Sequence, residues 1–308
     1  MPTLAIASPL APGSPARVHV REAGSGPPLV LLHGGWGWEA YPWDVAALAA
    51  RHRVLAPDRT GYGRSGRLAE LPAGFHRLMA EETLRVLDAL GVARAALWGH
   101  SDGAVIAAWA ALLAPARVAA LVLEALHVLP AKRGSIAFFR SGVETPEAFG
   151  PAVVDALRRD HGEGWREVVA SGGRAWLRLI DEGLRGRPDL YDGRLGEVRA
   201  PALVVNGRSD PRMEPGEIEA GARAIPGARL LVLEAGHCPH ASARLGAACT
   251  RAALDCLASA ADQRTAGGPA PRSEGEGGPA PRTEGEGGPA PRTEGEGGPA
   301  PRSEGEGG

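Results

Sequence analysis

Gly99-His100-Ser101-Asp102-Gly103 lies between an apolar run, Ala95-Ala96-Leu97-Trp98, and a stretch of helix formers, Ala104-Val105-Ile106-Ala107-Ala108-Trp109-Ala110-Ala111-Leu112-Leu113. The pattern reads as strand, sharp turn and helix, with a serine at the apex. Glycines two residues before and two after Ser101 suit a turn that brings the strand and helix backbones too close for side chains. A serine held there presents its hydroxyl outward as a nucleophile. Five residues recur by chance, so their meaning depends on a base, an acid and oxyanion donors elsewhere in the chain.

An alcohol is a poor nucleophile at neutral pH until a neighbour takes its proton. Two histidines, His237 and His240, follow the last strand-like run. His237 is preferred as the base because it sits in Glu234-Ala235-Gly236-His237, where a glycine lets the chain turn back toward the serine. His240 then lines the site or satisfies a backbone carbonyl, and His100 is aimed away from Ser101 by its place on the elbow. The acid that would orient the imidazole is Asp210, at the end of Val205-Asn206-Gly207-Arg208-Ser209-Asp210 and directly after a strand. Glu124, ending the strand after the serine helix, is the rival; otherwise it is a loop or pocket carboxylate. Charge developing on a carbonyl oxygen needs fixed N–H donors. The backbone N–H of Asp102 is one. The second is assigned to Gly35, or alternatively Trp36, in His33-Gly34-Gly35-Trp36-Gly37. A phosphate-binding turn is discounted there because neither dinucleotide-type glycine spacing nor a Lys-Ser/Thr ending accompanies the glycines.

Further strand-like runs are Leu29–Leu32, Val54–Ala56, Leu121–Leu123, Leu203–Val205 and Leu230–Leu233. They are continuously apolar, as strands covered on both faces should be. Helical patterns lie between them, around 43–50, 78–90 and 103–113, with a last one at 243–258. This alternation predicts an α/β fold with a mostly parallel, doubly wound sheet. Arg17–Glu22 alternates polar and apolar residues and reads as an edge strand. The interval 128–196 carries helical patterns without a comparable strand run and is expected to form a helical cap over the carboxyl ends of the strands, where ligands bind in open α/β sheets. The expected organisation is a core of 1–127 and 197–262, a cap of 128–196 and a tail of 263–308.

From Gly267 the 308-residue chain repeats Gly-Gly-Pro-Ala-Pro-Arg-Ser/Thr-Glu-Gly-Glu four times. Such a tail, with no aliphatic residue larger than alanine and no aromatic, cannot offset its ordering entropy and is expected to be disordered. The repeats hold four of the 34 basic and eight of the 36 acidic residues, so the formal charge is −2 for the whole chain and +2 without them. Neither value suggests a nucleic-acid partner. Cys238, Cys249 and Cys256 show neither a disulfide framework nor metal-ligand spacing, and no apolar stretch approaches the roughly 18 residues of a membrane span. The N-terminus lacks a basic, apolar leader, so a cytoplasmic location is expected. Oligomeric state is not legible.

Taken with Asp58-Arg59-Thr60-Gly61-Tyr62-Gly63-Arg64-Ser65, whose role is expected to be structural, these motifs resemble the α/β-hydrolase fold superfamily over about 18–257. The resemblance is to the capped serine-hydrolase branch, with esterase, valacyclovirase-like and C–C-hydrolase-like relatives. It implies a triad of Ser101, Asp210 and His237 without metal or organic cofactor, acting on a small ester, lactone or thioester. Serine at the elbow argues against the haloalkane dehalogenase and epoxide hydrolase branches, which place aspartate there. Asp102 is open to two readings: its carboxylate recognises the amine of an α-amino ester, as the resemblance to valacyclovirase-like hydrolases implies, or it turns away to pair with a cap arginine or cap the next helix. Trp36, Phe139 and Trp176 are candidate substrate contacts, together with Asp102. A small-molecule receptor that retains a triad and turns over slowly is the alternative of a different class.

Overall fold

The structure, a computed structural model, describes residues 2–266. Eight strands form one sheet: β1 (Thr3–Ala7), β2 (Pro15–Ala23), β3 (Pro28–Leu32), β4 (Arg53–Pro57), β5 (Ala95–His100), β6 (Val118–Glu124), β7 (Ala202–Gly207) and β8 (Arg229–Leu233). Their spatial order is β1-β2-β4-β3-β5-β6-β7-β8. β2 pairs antiparallel with β1 and β4, and every pairing from β4 through β3 to β8 is parallel. The α/β expectation holds. One part of it needs correction, because Arg17–Glu22 is not at the edge: β1, unforeseen in the proline-flanked N-terminus, covers its outer side.

The continuous apolar runs divide into two cores because successive strand side chains point to opposite faces. In β5, Leu97 packs on one face with Val30 and Leu32 of β3 and Leu121 and Leu123 of β6. Trp98 packs on the other with Leu29, Leu31 and Val122. The first face is covered by α2 (Phe75–Ala89) and α3 (Asp102–Leu113), the second by α1 (Val45–Ala49) and α8 (Gly246–Ala266). α3 is buried from Asp102 through Leu112, which explains its run of alanines among larger residues: it lies wedged between sheet and neighbouring helices.

After β3 the chain runs out to β4, then returns to β5 on the far side of β3. The loops following β3 and β5 therefore flank the crevice at which the winding reverses, and Leu32 is in register with Gly99. Between β6 and β7 lie α4 (Ile136–Glu144), α5 (Pro151–His161) and α6 (Trp165–Leu184), with no strand among the described residues of that interval. α7 (Glu217–Ala224), not foreseen from the sequence, follows β7. The only lysine, Lys132, is buried against Glu217, whose carboxylate also accepts from the backbone N–H groups of Val128, Leu129 and Glu214. This one carboxylate ties the start of the helical interval to α7. α8 continues through residues 263–266, where the tail was expected to have begun; the repeats from Gly267, expected to be disordered, lie outside the described residues. No described helix is long and apolar enough to cross a membrane.

Candidate active site

Ser101 stands between β5 and α3 with φ 56° and ψ −119°, a conformation that L-residues adopt only when the surroundings enforce it. The flanking glycines show how it is enforced. A Cβ on Gly99 would lie 2.0 Å from the carbonyl oxygen of Gly103, and one on Gly103 would lie 1.9 Å from that of Leu32. The Ser101 N–H donates to Glu124 O at 2.9 Å, which fixes the apex against β6. Asp102 opens α3, so its N–H has no preceding helical carbonyl and remains available as a donor.

Asp210, in the loop after β7, has a buried carboxylate that accepts from His237 Nδ1 at 3.0 and 2.9 Å and from the Arg212 backbone N–H at 2.8 Å. Burial alone would raise its pKa, but the His237 hydrogen bond and charge and the Arg212 N–H outweigh burial and hold it below the usual value. The pairing leaves Nε2 of His237 as the acceptor nitrogen. The loop crosses β7 closely: a Cβ on Gly207 would be 1.9 Å from Gly236 O, whereas one on Gly236 would meet open space. Gly207, rather than the Gly236 singled out from the sequence, is thus the glycine that the crossing needs. His100 lies behind His237 and bonds its carbonyl oxygen through Nε2 at 3.2 Å. Burial, then the neighbouring His237 and His240, push the His100 pKa down to about 3, so it serves as a neutral donor.

The rivals are engaged with each other. Glu124 accepts from Trp98 Nε1 at 3.1 Å and from the N–H and Nδ1 of His240 at 2.9 and 2.8 Å. His240 also stacks on Trp43, with ring centroids 4.3 Å apart. Burial works against the charged form of both partners, yet their mutual attraction prevails: the pKa of Glu124 is lowered and that of His240 raised. The result is a buried ion pair behind the candidate site.

Gly35 and Trp36 line a cavity with Ser101, Asp102 and His237. Their loop is clamped from α5. Asp160 accepts from the backbone N–H groups of Trp38 and Glu39 and from Arg21, while His161 bonds Trp36 O at 3.1 Å and the Gly63 N–H at 3.0 Å. The Asp58–Ser65 segment is a self-closed turn, with the Arg64 N–H on Asp58 Oδ2 at 2.8 Å.

The Asp102 side chain is buried and engaged through one oxygen only, Oδ2 having no hydrogen-bond partner among the described residues. Its Oδ1 accepts from His76 Nε2 of α2 at 3.0 Å and from Trp176 Nε1 of α6 at 2.9 Å. Neither pairing with an arginine nor capping of α3 is found: a helical tryptophan and a core histidine take that place. Phe139 stacks on Trp176 at 5.2 Å, and both line the cavity, which encloses about 630 Å³ of empty space, part of it open to solvent.

Two polar residues that the sequence reading did not single out are also in the lining. His127, beyond the end of β6, places Nε2 3.4 Å from Ser101 Oγ, and among the described residues this is the hydrogen bond that the hydroxyl makes. Its Nδ1 has no partner, and burial, Lys132 and the neighbouring histidines drive its pKa well below the ordinary value. Ala125, at φ 51°, is the strained step that delivers it. Arg212, two residues after Asp210, is the second, with its guanidinium over the Phe138 ring at 4.0 Å. Among the described residues no group of three or more His, Cys, Asp or Glu side chains could hold a metal ion.

A family model described as the alpha/beta hydrolase fold matches residues 27–162. RutD of Pseudomonas savastanoi pv. phaseolicola, which carries the name of a carbamate hydrolase, is 32% identical over 232 residues, covering 68% of this chain and 86% of the relative. The chain belongs to the α/β-hydrolase fold family. The 2-hydroxy-6-oxononadienedioate/2-hydroxy-6-oxononatrienedioate hydrolase of Burkholderia vietnamiensis is similar to it at 31% identity over 265 residues, 74% of this chain and 86% of that one. Among solved structures, a thermophilic esterase from Thermogutta terrifontis superposes with a TM-score of 0.64 at 25% identity, over 84% of this hydrolase and 99% of the esterase.

Proposed function

We propose that this hydrolase cleaves small carboxylic esters, or related lactones and thioesters, through an acyl-enzyme on Ser101. The observation that carries this reading is the His237–Asp210 pair beside a serine whose strained backbone aims it into the same cavity. Of the two histidines at the serine, His237 is the base. A carboxylate holds its Nδ1–H and stabilises the imidazolium that forms on proton transfer. His127 has no such acid, and its depressed pKa makes it a poor proton acceptor.

In this mechanism Ser101 Oγ turns from His127 toward His237 Nε2, loses its proton there and attacks the carbonyl carbon. Catalytic hydrogen bonds commonly tighten only in the substrate complex, so the 3.4 Å contact to His127 does not oppose the step. The N–H groups of Asp102 and Gly35 receive the oxyanion. His237 returns the proton to the leaving group, then activates water to release the acid. The helices of 128–196 act as the cap, with Trp36, Phe139 and Trp176 as apolar substrate contacts. The α-amino-ester reading of Asp102 would have to use Oδ2, because Oδ1 already accepts two hydrogen bonds and Oδ2 accepts none among the described residues.

A panel of p-nitrophenyl esters, lactones and thioesters tests this reading. Wild type should turn over at least one ester many times, and Ser101→Ala should remove that activity. A single stoichiometric burst would instead point to a receptor, and turnover surviving Ser101→Ala would exclude the serine mechanism.

A further inference from the structure

The cavity holds two charged side chains, and they differ in how they are satisfied. Asp102 Oδ1 accepts hydrogen bonds from donors of α2 and α6, while its Oδ2 is buried with no partner among the described residues. Arg212 has no such contact through either arm of its guanidinium. Among the described residues its guanidinium forms no ion pair and no hydrogen bond, and Nη1 is buried with no partner. The nearest carboxylate, Asp210, is occupied by His237 and by the Arg212 backbone N–H rather than by the guanidinium. A half-buried cation with an unpaired N–H costs stability unless something that enters the cavity completes it. The Phe138 ring lies 4.0 Å from the guanidinium carbon and packs against the cation without taking up its N–H donors. A planar fork of N–H groups matches a carboxylate better than any neutral acceptor.

We propose that Arg212 is the carboxylate-binding residue of this site, and that the substrate is an ester or lactone carrying a second, free carboxylate on the part lying between Phe138 and the His237 loop. This rests on the serine-hydrolase reading for its reaction, though not for its binding chemistry. It reverses the charge that Asp102 suggests from sequence: that carboxylate accepts two hydrogen bonds from the fold through Oδ1, whereas the guanidinium donates none among the described residues.

The test uses Ser101→Ala, which holds esters without cleaving them, and two ligands of equal chain length, monomethyl adipate and methyl hexanoate, measured by calorimetry. The parent should bind the carboxylate-bearing ester at least about tenfold more tightly, a ratio that falls with added salt. In Arg212→Gln the ratio should fall to near one, and in Arg212→Lys a preference should return in part. A parent ratio near one overturns the proposal without recourse to any Arg212 variant, and a parent preference that persists in a folded Arg212→Gln overturns it equally. The serine reading fails on a separate result, turnover of p-nitrophenyl hexanoate that survives Ser101→Ala, and the calorimetric ratio does not depend on that outcome.

Discussion

Removing the carboxylates of Asp210 and Glu124 one at a time should give opposite phenotypes. Asp210→Ala takes away the acceptor that fixes His237 through two contacts of 3.0 and 2.9 Å. Loss of a triad acid costs about 10⁴-fold in kcat, equivalent to about 5 kcal/mol of transition-state stabilisation, and that is the drop expected in kcat/KM. Glu124→Ala removes the acceptor for Trp98 Nε1, for the His240 N–H and for His240 Nδ1, all buried. Breaking a buried ion pair from one side costs about 3–5 kcal/mol. For a domain of this size that corresponds to a Tm lower by about 6–20 °C. Its kcat/KM per folded molecule should stay within about tenfold of wild type, since the carboxylate bonds His240 and not His237. Steady-state ester hydrolysis well below both melting points, beside thermal unfolding followed by circular dichroism, reads the two effects separately. The assignment is refuted if Asp210→Ala keeps kcat/KM within about threefold of wild type while folded Glu124→Ala is inactive.

The Glu124–His240 pair should also give stability a pH window. Glu124 is lowered from 4.5, so its contribution is present above that value and lost as pH falls through its folded pKa. His240 is raised from 6.5, so its contribution is full below that value and lost as pH rises through its folded pKa. Coupling between Glu124→Gln and His240→Gln in a double-mutant cycle should therefore peak between pH 4.5 and 6.5 and decline on either side, and a coupling that grows above pH 8 would contradict the pairing. Gly103→Ala places a Cβ 1.9 Å from Leu32 O, between backbones that cannot both yield, and should abolish soluble folded protein or lower Tm by more than about 10 °C in differential scanning fluorimetry. Lys132→Met leaves the Glu217 carboxylate buried without its cation and should cost about 3–5 kcal/mol in urea unfolding. A loss under about 1 kcal/mol would show that the four-way contact at Glu217 does not hold α7 in place.

The parts of the site that were legible in sequence are those set by local geometry. Gly99 and Gly103 announce the elbow because a tight strand–helix turn excludes side chains at those two positions, and His237 and Asp210 follow strands that their apolar runs betray. What depends on distant contacts was not legible. Asp102 receives its donors from α2 and α6, so its sequence neighbours could not say that one carboxylate oxygen was taken. His127 reaches Ser101 only through the strained step at Ala125, and alanine carries no sign of a positive φ. Arg212 is notable for a missing partner, which no local pattern encodes. β1 was hidden by its flanking prolines, although it pairs with β2 from Thr3 to Ala7 and displaces β2 from the edge.

The covalent intermediate tests the central claim most directly. Intact-mass and peptide mapping of wild type, quenched during turnover of a slow p-nitrophenyl ester, should show one added acyl group, located on Ser101, absent from Ser101→Ala and accumulating in His237→Ala only at a much reduced rate. An acyl group on another residue, or undiminished turnover in Ser101→Ala with no adduct, would contradict the account.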